Sequence, residues 1–244
     1  MAVSSSFCGE TLRGGFALAA LLVAFLWTPL SRYDEVYYSS ADLLQDFSLT
    51  RVEPGFPAEN RIMSDEITEM QPWAMFNRDE LREGRIPWWN PWNGAGCPHF
   101  ANYQSAVFSL FTLPWYVLPT KAAILVAAFL KLWLCGFFTF LFLKKRRVSF
   151  WAAMLGGTAF MFGGHNVLLV SFPHAGAQAV LPAGLYFAEC VLQRFQRRTV
   201  PGSFLPAAAV GGPFSVASAA AGGNVPGSVL RGGGGLESQG AANT

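Results

Sequence analysis

The sequence predicts an all-α, polytopic transmembrane helical protein, with about four spans and a large outer first loop containing interfacial helices. Three observations predict it. Of 244 residues, 52% are hydrophobic and only 13% charged, with a mean hydropathy of +0.32, too apolar for an ordinary soluble domain of this length. Four apolar runs approach the roughly 20 residues that a helix needs to cross a bilayer. Basic clusters fall at alternate ends of successive runs, and basic residues beside a span mark its cytoplasmic side.

The first run, residues 14–30, follows Arg13 and closes on Trp27 and Pro29. A cleaved signal peptide is its rival, but no small-x-small site follows Leu30, so a retained anchor is expected. The second run, 121–143, contains Lys131 and stops at Lys144–Arg147. The third spans 150–171, and the fourth, 176–193, ends in the basic stretch Arg194–Arg198. One topology satisfies all these ends: residues 1–13 inside, 31–120 outside, a basic inner loop at 144–149, and 194–244 inside. The expected location is a membrane, with the N-terminus on its cytoplasmic side.

The outer loop holds twelve acids against six Arg, a net of −6 that the near-neutral whole chain hides. No basic stripe interleaved with aromatics appears, which argues against a nucleic-acid partner. Cys8, Cys97, Cys135 and Cys190 show no CxxC spacing and imply neither a zinc site nor a disulfide framework.

Within that loop, Ser64–Gly84 reads as a helix along the membrane surface. Ser64 suits the N-cap, Asp65 and Glu66 the positive end, and Gly84 the C-terminal stop. Ile67, Met70, Trp73 and Leu81 give it an apolar side, and Pro72 must kink it or divide it in two. The next stretch, LREGRIPWWNPWNGAGCPHFANYQSA, sets prolines that forbid a continuous helix beside glycines that permit tight turns. Trp88, Trp89 and Trp92 suit the headgroup layer, or could stack on a sugar face. Asn90 and Asn102, amides among prolines and glycines, are read as shaping the loop, with ligand contact secondary. Residues 106–119 are too short and too Pro-broken to cross and are expected to be re-entrant or interfacial.

After Arg198 the composition changes. Residues 201–244 hold eleven Gly and nine Ala with one acid and one base, a tract that cannot bury enough apolar surface to order itself. It reads as a flexible cytoplasmic tail, or as sequence translated out of frame.

The order SD-x3-E-x2-PW from Ser64, followed by LREGRIPWWNPWNGAGCPHFANYQSAVFSLFTLPWYVLP, resembles the bacterial YfhO-type polytopic membrane proteins, relatives of the GT-C glycosyltransferases. Gly84, Pro87, Trp89, Asn90, Pro91, Gly96, Pro98, Ala101, Asn102, Gln104, Ser105 and Ala106 carry the likeness, which covers residues 61–198. Family members are much longer, so this chain is expected to be an N-terminal fragment, inactive by itself. The resemblance implies sugar transfer from a polyprenyl-phosphate donor at the outer membrane face, with a first-loop acid as general base or ligand of a divalent metal.

That chemistry needs a carboxylate to take the acceptor's proton and positive charge for the leaving phosphate. Asp65 is the acid matched by motif position, with Glu66 and Glu69 beside it; the bland reading leaves Asp65 and Glu66 complementing the helix terminus. Asp34 and Glu35, just after the first span, are the rival pair. Trp89, Asn90, Asn102 and Gln104 are the loop's substrate-binding candidates. Lys131, costly at mid-span, contacts lipid phosphate or pairs with a loop acid or backbone carbonyls. His174, with His165, could aid phosphate or metal binding, although lone histidines are more often structural. A reading from another class remains open: a non-catalytic membrane scaffold or transport component whose outer loop binds a partner or lipid.

Overall fold

The computed structural model describes residues 2–40, 43–44 and 61–199. The chain divides into two units, Met1–Gln193 and Arg194–Thr244. The tail, whether cytoplasmic or out of frame, lies outside the described residues, as do Asp42, Asp46, Glu53 and Glu59 of the outer loop.

The architecture is mostly helical. In chain order it has α1 (Ala2–Phe25), α2 (Trp27–Ser31), α3 (Gln71–Arg82), a two-stranded hairpin of β1 (Trp89–Asn90) and β2 (Cys97–Pro98), α4 (Leu113–Val117), α5 (Thr120–Lys145), α6 (Phe150–Met161), α7 (Gly164–Leu168) and α8 (Pro173–Thr199). Among the described residues three helices are long and apolar enough to cross a membrane: Phe7–Phe25, Thr120–Lys145 and Pro173–Gln196.

The expected third span, 150–171, is not one helix. It breaks at Phe162–Gly163 into α6 and the short α7. At 1.5 Å per residue, the 12 residues of α6 reach about 18 Å, short of a hydrocarbon core about 30 Å thick. The cause is local. Gly163 and Gly164 disfavour helix continuation, and the Asn166 amide donates to the Phe160 carbonyl at 2.6 Å, sharing that acceptor with the Gly163 N–H at 3.2 Å.

Close packing sets the helix directions. Leu18 and Leu22 of α1, with Leu26 just after it, join Leu132 and Phe140 of α5 and Ala153 and Met161 of α6 in one buried core. A Cβ on Gly157 would lie 2.8 Å from the Gly136 carbonyl oxygen, so α5 and α6 cross backbone against backbone, as small residues allow. Gly14 lies under the Phe140 ring, and the Trp133 indole donates to the Gly15 carbonyl at 3.1 Å. Lys144 pairs with Glu10 at 2.8 Å and Arg146 with Glu189 at 3.3 Å. These contacts run α5 antiparallel to α1 and α6 and parallel to α8, and they gather the basic end of α5 with the early part of α1 and the later part of α8.

The α6–α7 segment therefore rises only part of the way beside α5. It stops level with Lys131, eleven residues after Thr120, where Val170–Phe172 turns into α8. The recess above that turn is covered by the outer loop. Phe172 packs with Leu43, Met63, Met70 and Trp73, while Ala74 and Trp115 pack on Ala123 and Ile124 of α5.

Candidate functional site

The covering helix is divided where Pro72 requires. Residues Glu66–Met70 form a π-helical turn, the Gln71 N–H bonding the Glu66 carbonyl, and α3 begins at Gln71 with Pro72 in its first turn. Its end is a Schellman arrangement: Gly84, at φ 73°, donates to the Leu81 carbonyl at 3.1 Å, and Arg85 to that of Glu80 at 2.9 Å. Ser64 does not act as the expected cap. The helix is entered from a 3₁₀ turn, Arg61–Met63, and the Ser64 hydroxyl lies 3.4 Å from Asp65 Oδ1.

The π turn aims one acid inward. Glu66 is only 2% exposed, and its carboxylate accepts from the Ser40 amide at 3.2 Å, the Ser40 hydroxyl at 2.7 Å and Gln71 Nε2 at 3.2 Å. Gln71 also donates to Ser39 and accepts from the Tyr37 hydroxyl. The residues just after α2 are thereby knotted to the covering helix. Burial, and then the negative charge of Glu66, push the Tyr37 and Tyr38 phenols above their ordinary range, so both stay protonated donors.

Across a cavity of about 60 Å³ from Glu66 lies Lys131, 6% exposed. Its ammonium donates to the carbonyls of Val170 at 2.7 Å and Phe172 at 2.9 Å and stands 5.9 Å from the Phe111 ring centroid. An ammonium has three N–H donors. Of the alternatives open for Lys131, the geometry has backbone carbonyls as partners, and one donor remains beyond these two bonds. Ser109, Thr112, Trp115 and Ser171 complete its polar and aromatic lining, and the volume suits a few waters or one hydroxyl-bearing group.

The other candidates lie elsewhere. Asp65 is exposed and Glu69 half-buried, and neither lines the cavity. Glu35 pairs with Arg32 at 2.6 Å on an exposed surface, while Asp34 offers its backbone carbonyl to Lys121 at 3.1 Å. His174 is exposed, its ring 6.3 Å from that of His165. Among the described residues no three His, Cys, Asp or Glu side chains converge to hold a metal ion. All four cysteines are free.

In the hairpin, Asn90 Oδ1 accepts from the Trp92 amide at 2.9 Å, and Asn102 Oδ1 from the Gln104 amide at 3.1 Å. Both asparagines tie turns. Trp89 lies over Gly96, where any Cβ would fall 2.5 Å from its indole nitrogen. None of Trp89, Asn90, Asn102 or Gln104 lines the Glu66–Lys131 cavity.

One residue of the motif escaped the sequence reading. His99 is fully buried; its Nε2 lies 2.8 Å from Asn77 Oδ1, and Asn77 Nδ2 donates to the Ser105 carbonyl at 2.6 Å. Because the amide nitrogen faces a carbonyl, its oxygen faces His99, so Nε2 carries the proton and Nδ1 is the unpartnered atom. Burial lowers the His99 pKa below its ordinary value. This clasp joins the hairpin to α3. The only sequence signal for it is the histidine itself, set between Pro98 and Phe100.

No protein-family model, curated protein or solved structure matches this chain.

Proposed function

We propose that this chain is the N-terminal part of a GT-C-like, YfhO-type integral membrane glycosyltransferase, moving a sugar from a polyprenyl-phosphate donor at the outer face of a bacterial inner membrane. The observation that carries the reading is the placement of one buried carboxylate, Glu66, and one buried ammonium, Lys131, on the same mainly apolar cavity beneath the outer loop.

In this reading the acceptor hydroxyl enters the cavity and reaches Glu66. Its oxygen bonds to the sugar's anomeric carbon as the bond from that carbon to the phosphate oxygen breaks. The proton passes to the Glu66 carboxylate, and the lipid phosphate leaves with its electron pair. The free N–H of Lys131 offsets the phosphate charge in a site where the protein has replaced water. Asp65, the acid matched by motif position, points to solvent, and Glu66 next to it takes the role.

Membranes containing a full-length version of the protein, given a radiolabelled polyprenyl-phosphate sugar, should form product. Glu66→Gln should lower the rate by about 10²-fold or more, the usual contribution of a general base, at unchanged protein abundance. Equal rates in both membranes would remove Glu66 from the mechanism.

A second reading rests on a specific observation. The Glu66 carboxylate already accepts three hydrogen bonds, and Lys131 ties the turn before α8. A non-catalytic scaffold or transport component, binding a partner or lipid through the outer loop, needs those contacts for structure alone.

A further inference from the structure

Between Arg85 and Lys121 the sequence has no Asp, Glu, Lys or Arg, yet it has nine Trp, Tyr and Phe. A water-facing loop of this length normally carries charge, so the surface these residues build shows what they face. Trp88 is 62% exposed and meets Phe100 at 4.8 Å between ring centroids; Phe100 meets Phe108, itself 69% exposed, at 5.7 Å. Two residues further on, Leu110 enters an open groove of about 590 Å³, lined by Leu113, Tyr116 and Val117 around α4 and by Val126 and Leu130 of α5. The Tyr116 hydroxyl, the one polar group among these six side chains, donates to the Val107 carbonyl.

The apolar surface thus continues from the flank of a membrane-length helix, around α4, to the base of the hairpin. Soluble surfaces rarely expose an apolar patch so extended. The other face of the hairpin differs. Successive strand side chains alternate in direction, and Trp89 turns to Gly96 while Trp92, 84% exposed, stands at the turn.

We infer that the ridge Trp88–Phe100–Phe108 and the adjoining groove are a lipid-embedded surface, sunk into the acyl chains of the leaflet at this end of the bundle, with Trp92 held outside the hydrocarbon. The occupant is hydrocarbon because the patch is continuous with the flank of α5 and has no charge to pair with a protein partner. The hairpin is then a wedge that fixes the height of the outer loop over the Glu66–Lys131 cavity. This inference is independent of the transfer chemistry.

The test uses the full chain in phosphatidylcholine vesicles with either ordinary or dibrominated acyl chains, and acrylamide as the aqueous quencher. The difference between wild-type and Trp88→Phe emission isolates Trp88, and Trp92→Phe isolates Trp92. The Trp88 emission should be lost in brominated lipid and spared by acrylamide, and the Trp92 emission should show the reverse. Quenching of Trp88 by acrylamide alone overturns the inference in favour of a water-facing loop; quenching by neither overturns it in favour of a protein cover, such as a second copy. Should Trp88→Phe fail to fold, Phe108→Trp adds a reporter instead, and its emission must be quenched by the brominated chains for the inference to stand.

Discussion

Lys131 reaches across the bundle to the backbone of Val170, its Nζ 2.7 Å from that carbonyl oxygen, and makes a second bond to Phe172 at 2.9 Å. A cation that sequence places in the middle of a span is therefore the fastening of a recessed turn. Lys131→Met keeps the length and apolar stem of the side chain but strands the Val170 carbonyl, at a cost of about 1–3 kcal/mol when buried without a partner, while the Phe172 carbonyl keeps the Ala175 N–H at 3.2 Å. Thermal unfolding of purified protein in detergent should show a clear loss of stability.

The α5–α6 crossing makes a sharper steric prediction. Gly157→Ala places a methyl 2.8 Å from the Gly136 carbonyl oxygen, a backbone atom that cannot swing away, whereas a Cβ on Gly164 meets nothing within 4 Å. The first substitution should destabilise by about 1–3 kcal/mol, as overpacking does, and the second should leave the melting temperature nearly unchanged. The pair is read in one detergent melting series.

His99 gives the outer loop a pH dependence. Burial holds its folded pKa below the ordinary 6.5, so below that pH the unfolded loop binds a proton that the folded loop refuses. The contribution of His99 to stability is full above about 6.5 and declines as pH falls toward the depressed folded value. Hydrogen exchange at the hairpin amides should slow less between pH 7.5 and 5.5 in wild type than base-catalysed exchange chemistry alone dictates, an excess rate at the lower pH. In His99→Gln that excess should vanish.

Gly96 sits at φ 97° under the Trp89 indole. Gly96→Ala meets two obstacles, a left-handed backbone costing about 1–2 kcal/mol and a Cβ 2.5 Å from Trp89 Nε1. Proteolysis between Arg85 and Lys121 should accelerate in this variant. Gly84→Ala, with positive φ but open space around it, should show the smaller effect of the backbone alone.

The parts of this fold that sequence reveals are those governed by short-range chemistry. Long apolar runs mark α1, α5 and α8, Pro72 marks the division before α3, and Gly84 marks its end. The break between α6 and α7 is hidden because Gly163 and Gly164 stand in a run otherwise apolar enough to read as a span, and the Asn166 bond that stabilises the break closes only in the folded chain. Glu66 and Asp65 are neighbours in sequence. Which of them faces the cavity is decided by the wider π turn, and a motif match cannot resolve that one-residue difference. His99 pairs with Asn77, 22 residues earlier in the chain, a separation at which no local pattern signals contact.

The most direct test of the central claim compares three carboxamide substitutions, each made in a full-length version of the protein, measuring transfer from a radiolabelled polyprenyl-phosphate sugar in membranes at matched protein abundance. The account predicts that Glu66→Gln abolishes transfer while Asp65→Asn and Glu69→Gln retain it. Transfer that survives Glu66→Gln, or that is lost with Asp65→Asn alone, would contradict it.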